Sequence, residues 1–496
     1  MRYLVFPGRH HVLTRFQARY LAESTDPDTT VIWAVTSANH QNTRRNPVPA
    51  NRREAAIELF SQTEGLRSLV VPVVDVPPDE RFAEITLKAI GHATGINPSP
   101  ADTVVACSTP AVGDLYARLG FPIAPVERDH PDHPPYPWEL LGRIASGDPW
   151  RDDAHPATVD VFDRYGLDEH IATISADPVV SSEGSLTDTR DYRSYGAAFE
   201  AAAERKWAQA RPYVRPGRIV DVGCATGAML ELVAADPEFA ESDLYGIEVA
   251  RHLYEECEHR RAQGVFANPN TFFYQRNVLA GPVFPEATVD TTLTFALTHE
   301  IYSYGERMAS LRAFAGAIAR QTIPGGVWIN SDVCGPDDPD RMVRLVFHEP
   351  GVFEPAVDLE AMSGDAVGDY LAARVPAARF GQFASDFRRN SAVPFDYEIV
   401  DDRTVRLRLA DAMEFLTRFS YVDNWLSETH EQFCGLSWRD WVALAEDVSL
   451  RVDPRSGTWR NQWLVDNVFD PAATLSADDG TALEWPATHV LLAATR

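Results

Sequence analysis

Short apolar runs alternate with amphipathic stretches through the first third of the chain. Tyr3–Phe6, Thr29–Val35, Ser68–Val74 and Thr103–Ala106 are rich in β-branched and aromatic residues and too short for buried helices, so they read as strands. Between them Thr14–Glu23, Arg52–Thr63 and Arg81–Ala93 carry helical periodicity. This alternation predicts a parallel sheet with helices on both faces, whose ligands bind beyond the carboxyl ends of the strands. The polar residues there include Gly8, Arg9, Ser37, Asn46 and Arg53, which become candidate substrate-binding positions.

A second series begins after a polar link around Asp177–Asp188. Tyr192–Arg211 reads as an alanine-rich helix, and the apolar strand after it closes on Asp221, followed by the turn Gly223-Cys-Ala225-Thr-Gly227. Glycines at this spacing hand a strand over to a helix while leaving bare backbone for a ligand. About 20 residues on, the strand Leu244–Ile247 ends in Glu248, an acid placed to accept hydrogen bonds from ribose hydroxyls. Thr271–Tyr274 is a third strand, closed by Asn277-Val278. A fourth, Thr291–Ala296, runs into His299, Glu300, Tyr302 and Tyr304. The helix Met308–Gln321, the turn Pro324-Gly-Gly326 and the strand Val327–Asp332 follow.

The acid, the single G-x-x-x-G and the second acid together resemble motif I and its surroundings in the class I S-adenosylmethionine-dependent methyltransferases, strongly over Gly217–Val333. The resemblance implies S-adenosylmethionine as cofactor. It would lie against Asp221, Gly223, Ala225 and Gly227, with its ribose on Glu248 and its adenine near Asn277 and Val278. The family usually has an acid near the adenine amine, and Asn277 can still accept from an amino group.

The motifs of the first third, taken in order, resemble the nicotinamide mononucleotide adenylyltransferases, especially the archaeal type, over about the first 170 residues. The carrying pieces are Gly8-Arg9, Thr36-Ser37-Ala38-Asn39, Asn46-Pro47, Asn51-Arg52-Arg53-Glu54, Cys107-Ser108-Thr109-Pro110 and the run from Arg143 to Trp150. That family's HxGH signature stabilises charge on the transferred phosphate. Here the matching residues are Thr14-Arg15-Phe16-Gln17, and the second phosphate-binding signature is replaced by Tyr136-Pro-Trp-Glu-Leu-Leu141. The expectation is a domain without adenylyl transfer, either a nucleotide-binding module or a relic, with His10 and His11 as conceivable substitutes for the lost imidazoles.

About a hundred residues separate the fifth strand of the second series from its last helix, Trp438–Asp447, and its last strands, Ser449–Val452 and His489–Ala494. A connection that long is normally a functional lid. Met342–His348, Leu359–Val375, Gln382–Phe387 and Ala410–Phe419 read as its helices, and its return carries Tyr421, His430 and Glu431.

The predicted fold is therefore α/β: two doubly wound parallel-sheet, Rossmann-like domains with a mainly helical lid inserted in the second. Residues 1–175 are the nucleotidyltransferase-like domain and 176–216 the linker with its leading helix. The methyltransferase core spans 217–335, the lid 336–436, and the end of the core 437–496.

Methyl transfer needs a positioned acceptor and, where that acceptor carries a proton, a base. His299, Glu300 and Tyr302 are the catalytic candidates, with Tyr304, Tyr421 and His430 on the acceptor side. Two functional readings stay open. One is methylation of a small molecule whose nucleotide part, NAD-like or ADP-linked, is held by the first domain. The other is a bifunctional enzyme retaining nucleotidyl transfer or hydrolysis.

Charge narrows the partners. Across 496 residues, 45 basic against 72 acidic side chains give a net charge of −27, which repels a nucleic acid at long range. Five widely spaced cysteines form no CxxC, so the spacing suggests no metal site and no disulfide framework. With no apolar stretch of membrane-spanning length, the reading is a cytoplasmic protein, with a homodimer compatible with the sequence.

Overall fold

The computed structural model describes residues 2–41, 43–74, 80–128, 130–131, 133–176, 202–351, 357–359, 362, 364–391 and 393–496, the side chains of 280, 364, 365 and 388–391 excepted. The chain divides into two compact units, Met1–Gly184 and Ser185–Arg496. The link expected at Asp177–Asp188 lies outside the described residues, as does the first half of the expected helix Tyr192–Arg211, which is helical over 202–210.

In the first unit, β1 (Tyr3–Gly8), β2 (Thr30–Val35), β3 (Arg67–Pro72), β4 (Thr103–Cys107) and β5 (Ile123–Pro125) form one sheet in the order β3-β2-β1-β4-β5. Every pairing in it is parallel. Alternate residues of each strand enter opposite cores: Leu4, Phe6, Val31 and Trp33 pack on one face, and Val5, Ile32, Ala34 and Val105 on the other. Burial on both faces makes the strands read as apolar runs rather than alternating ones. Local sequence sets the helices. Thr14 caps Arg15–Ser24 by accepting from the Gln17 N–H at 3.0 Å, while Gln17 Oε1 accepts from the Thr14 N–H. The order reverses between β1 and β4, which puts a crevice at their carboxyl ends.

The second unit is built on β6 (Arg218–Val222), β7 (Asp243–Glu248), β8 (Thr271–Gln275), β9 (Val289–Phe295) and β10 (Thr322–Val333), paired in parallel with one another. Its other sheet strands, in chain order, are β11 (Met342–Phe347), β12 (Tyr397–Ile399), β13 (Thr404–Arg408), β14 (Arg451–Val452), β15 (Gly457–Trp459), β16 (Ala473–Ala477) and β17 (His489–Thr495). The main sheet runs β14-β17-β10-β9-β6-β7-β8, with β17 antiparallel to both β10 and β14. Counted from β6, with β14 as sixth strand and β17 as seventh, this is the order 3-2-1-4-5-7-6 of the class I methyltransferase fold. The seventh strand enters antiparallel, so the sheet is mixed rather than wholly parallel.

The segment between β10 and the helix Trp438–Asp447 departs from the expected lid in one respect. It carries the helices Gly364–Ala372, Pro376–Ser391 and Leu409–Arg418, but Met342–His348, expected as a helix, is the strand β11. That strand alternates buried Val343, Leu345 and Phe347 with half-buried partners, a period of two that wins over helical spacing. With β12, β13 and β16 it forms an antiparallel sheet in the order β12-β13-β11-β16. Because β16 comes from residues 473–477, the extra layer is stitched from two excursions of the chain. The stretch 437–496 is thus not all methyltransferase core. Phe380, Phe383, Phe395, Phe415 and Trp425 give the layer its own aromatic core. Among the described residues no helix is long and apolar enough to cross a membrane.

Candidate functional site

Asp221 sits at the buried end of β6, and the chain then turns with Gly223 at φ 71° and Gly227 at φ 79°. A side chain at either glycine would be strained, and a Cβ on Gly227 would also press on Phe266 and Phe273. The turn is tied to the neighbouring strand. The N–H groups of Gly223 and Cys224 donate to the Ile247 carbonyl at 2.8 and 3.2 Å, and the Ala225 N–H donates to Oε2 of Glu248 at 3.0 Å. The other oxygen of Glu248 accepts from Val249 and Ala250, both at 2.8 Å.

Burial raises both acids. Burial, then the charge of Glu248, pushes the Asp221 carboxyl up to about 7, against the pull of Lys206. Burial does the same to Glu248, up to about 7, although three backbone N–H groups favour its charged form and Glu300 adds to the upward push. Lys206, on the helix over 202–210, is lowered to about 8 by burial while the charges of Asp332 and Asp221 oppose the shift. No spacing rule in the sequence marks this lysine.

Asn277 has its Oδ1 engaged by the Leu279 N–H at 2.9 Å, and its Nδ2 is buried without a hydrogen-bond partner. The free group is thus a donor, suited to a ring nitrogen of adenine and not to its amine as expected. Val278 faces an apolar hollow with Val222, Ile247 and Phe284.

Beyond β9 the short helix Thr298–Tyr304 delivers the candidate acceptor cluster. His299 is buried between two carboxylates, with Nδ1 2.6 Å from Oδ1 of Asp332 and Nε2 3.2 Å from Oε2 of Glu431. Asp332 closes β10 and also accepts from the Val333 N–H at 2.7 Å, the His299 N–H at 3.1 Å and the Thr298 hydroxyl. Burial opposes the imidazolium, but the Asp332 and Glu431 carboxylates outweigh it and hold His299 well above its ordinary value. Asp332 in turn is held down to about 2, since His299 and its donors overcome burial. The near-neutral free base expected at His299 is therefore replaced by a proton-bearing ring in a carboxylate clamp.

Tyr304 joins the cluster. Its hydroxyl lies 3.3 Å from both Oε1 of Glu431 and the Ser427 carbonyl, and its ring stacks on His430 at 5.9 Å. Tyr302 does not join. It packs in the core, where a Cβ on Gly435 would come within 2.6 Å of its ring, so it is a packing residue rather than a catalytic one. Tyr421 stands 43% exposed on the turn after Leu409–Arg418, facing the charges of Glu428 and Glu431.

In the first unit the expected binding rim is largely framework. Arg53 is fully buried, and its guanidinium donates to the carbonyls of Arg9 (3.0 Å), Thr36 (2.8 Å) and Ser37 (2.8 Å), pinning the ends of β1 and β2 together. This corrects its assignment as an open handle for a ligand. Ser37 supplies its carbonyl at φ 53°, and Gly8 leaves 3.0 Å between a notional Cβ and the His10 ring. Arg9 reaches the Arg45 carbonyl at 3.5 Å, and Asn46 is buried beside His11. His10 is lowered to about 4 and His11 well below its usual value, chiefly by burial. His10 Nε2 bonds the Phe6 carbonyl at 3.0 Å, so this ring is a satisfied core group and no substitute for a phosphate-binding imidazole.

No family model and no curated protein sequence matches the chain. Solved structures do. Geranyl diphosphate C-methyltransferase from Streptomyces coelicolor A3(2) is 11% identical over 64% of this chain and 89% of its own, with a TM-score of 0.33. An S-adenosylmethionine-dependent methyltransferase from Mesorhizobium loti is 12% identical over 60% of this chain and 100% of its own, at 0.32. The [4+2]-cyclase SpnF is 15% identical over 60% and 82%, at 0.26. The fold assignment stands on the strand order of the second unit itself.

Proposed function

We propose that the second unit is an S-adenosylmethionine-dependent methyltransferase acting on a small molecule. The observation that carries the reading is the turn from Asp221 to Gly227, opened by two left-handed glycines and tied through the Ala225 N–H to Glu248. Bare backbone beside a buried acid suits the amino-acid end of the cofactor. Glu248 retains lone pairs for the ribose hydroxyls, and Asn277 offers a donor to the adenine.

The transfer is an in-line displacement. Bound against Asp221, Gly223, Gly227 and Glu248, the cofactor would supply an electrophilic methyl group for an acceptor lone pair, its carbon–sulfur bonding pair going to sulfur. The protein's task is to aim the acceptor. The acceptor would lie beside the cluster of His299, Glu300, Tyr304, His430 and Glu431, whose carboxylates would supply a destination for any acceptor proton.

For the first unit the reading is a module that holds a nucleotide-bearing part of the acceptor at the crossover between β1 and β4. Its support is the strand order, with Gly8, Arg9, Ser37 and Asn46 gathered at that end. Retained nucleotidyl transfer is disfavoured because Thr14 and Gln17, at the positions of the missing imidazoles, are occupied in a capping box.

Calorimetric titration with S-adenosylhomocysteine tests the first reading: micromolar binding supports it, and no binding to folded protein overturns it. Thermal shifts with AMP, CMP and nicotinamide mononucleotide test the second, which a flat response to all three removes.

A further inference from the structure

The clamp on His299 is one residue short of a full description. Glu300 brings a third carboxylate, and one donor atom each from His299, Glu300 and Glu431 lies within 4.8 Å of the others. All three side chains are buried, at 7%, 4% and 1% exposure. Ligands at about 2.0–2.2 Å from a common ion stand up to roughly 4 Å apart, so small side-chain adjustments bring this trio onto one centre. Asp332 completes the picture from outside. Its carboxylate, 2.6 Å from Nδ1, fixes the ring so that Nε2 points at Glu431. A carboxylate behind a ligating imidazole is the usual outer support of a metal-bound histidine.

We infer that His299, Glu300 and Glu431 form a site for one divalent first-row transition ion, with Asp332 as the positioning residue of the histidine. Two carboxylates balance the charge of such an ion. One imidazole turns the preference away from magnesium and calcium and toward manganese, iron, cobalt or zinc. On binding, Nε2 donates its lone pair to the ion and the ring releases one proton to solvent. Three protein ligands leave positions for water or an acceptor oxygen or nitrogen. The Tyr304 hydroxyl, 3.3 Å from Oε1 of Glu431, borders the trio. Spacing could not disclose the site, because Glu431 reaches His299 from 132 residues away. The inference stands on these side chains and is independent of methyl transfer.

The alternative is a purely structural ion pair that fastens the residue 431 segment to the core. The two are separated on full-length protein stripped with EDTA and titrated with CoCl2, ZnCl2, MnCl2 or MgCl2. The expected result is one cobalt per chain with a visible d–d absorption reversed by chelator. Zinc or manganese should raise the melting temperature by several degrees, and magnesium should leave it unchanged. Glu300→Gln and Glu431→Gln should each weaken cobalt binding, and Asp332→Asn should weaken it 10- to 100-fold. If a variant fails to fold by circular dichroism, the wild-type cobalt spectrum decides alone. No absorption and no melting shift with cobalt, zinc or manganese overturns the inference. So does cobalt binding of undiminished affinity in folded Glu300→Gln and Glu431→Gln.

Discussion

Oε2 of Glu248 accepts a hydrogen bond from the Ala225 N–H at 3.0 Å, so the acid that ends β7 holds the turn that follows β6. The same carboxylate is the one proposed to accept from the ribose hydroxyls of the cofactor. Replacing it with glutamine turns one acceptor into a donor facing backbone N–H groups and removes the charge. Hydrogen bonds to charged groups contribute about 1.5–3 kcal/mol. Glu248→Gln should therefore weaken S-adenosylhomocysteine binding by about 10- to 100-fold in calorimetry, in a protein whose circular dichroism is unchanged. Undiminished affinity would remove Glu248 from the cofactor site.

Asp221 supplies a pH signature. Its folded value is pushed up to about 7 by burial and by Glu248, above the unfolded carboxylate range near 4. Between those values the folded chain holds a proton that the unfolded chain has lost. Its contribution to stability is present at low pH and disappears as pH rises through about 7. Asp221→Asn carries no such group. In urea unfolding from pH 5 to pH 8, the stability of Asp221→Asn relative to wild type should therefore climb with pH, by up to a few kcal/mol. Parallel curves would show that the buried acid is already ionised at pH 5.

Much of this site was legible because its acids close apolar strands. Asp221 and Glu248 are marked that way, and the same rule marks Asp332 at the end of β10, although only its partnership with His299 gives it a role. The second-unit elements were readable for a related reason: Trp438–Asp447 combines helical spacing with a Ser437 and Asp440 capping box. What the pattern missed depends on contacts distant in sequence. Glu431 matters through a partner 132 residues away, and Lys206 sits on a helix whose polar residues are otherwise unremarkable. Arg53 misled because an arginine in the first turn of the helix Ala50–Thr63 has the same appearance whether its fork meets a ligand or three carbonyls. Met342–His348 misled because its burial alternates within a sheet completed by β16, which lies far along the chain.

The role found for Arg53 is itself testable. Arg53→Met keeps much of the volume but leaves the carbonyls of Arg9, Thr36 and Ser37 without their charged donor. Losing the charged donor to a buried carbonyl costs about 1–3 kcal/mol, the losses are not additive, and the Ser37 carbonyl keeps the His40 N–H at 3.1 Å, so a loss on the order of 2–4 kcal/mol is expected in urea unfolding. A variant as stable as the wild type would return Arg53 to the rim of a binding site.

Arg418 is the corresponding clamp in the second unit, and its position tests whether the added layer and the cofactor end are separable. The residue is buried at 1% exposure with its guanidinium about 5 Å from three rings, those of Phe383, Phe387 and Phe433. It pairs with Glu414 one helical turn back and donates to the carbonyls of Glu428, at 2.9 Å, and Glu431. Glu414 also accepts from the N–H groups of Phe433 and Cys434, both at 3.0 Å. The pair therefore fixes the backbone that carries the Glu431 carboxylate to His299. Removing one partner of a buried pair leaves an uncompensated charge and costs about 3–5 kcal/mol. Arg418→Met should lose stability on that scale, with Glu414→Gln in the same chain recovering part of it by removing the stranded charge. The Asp221–Gly227 turn and Glu248 hang on β6 and β7, which among the described residues share no hydrogen bond with this clamp, so S-adenosylhomocysteine affinity in folded Arg418→Met should match the wild type. A folded variant that no longer binds the cofactor product would show that the Glu431 segment shapes the cofactor end as well as the acceptor side.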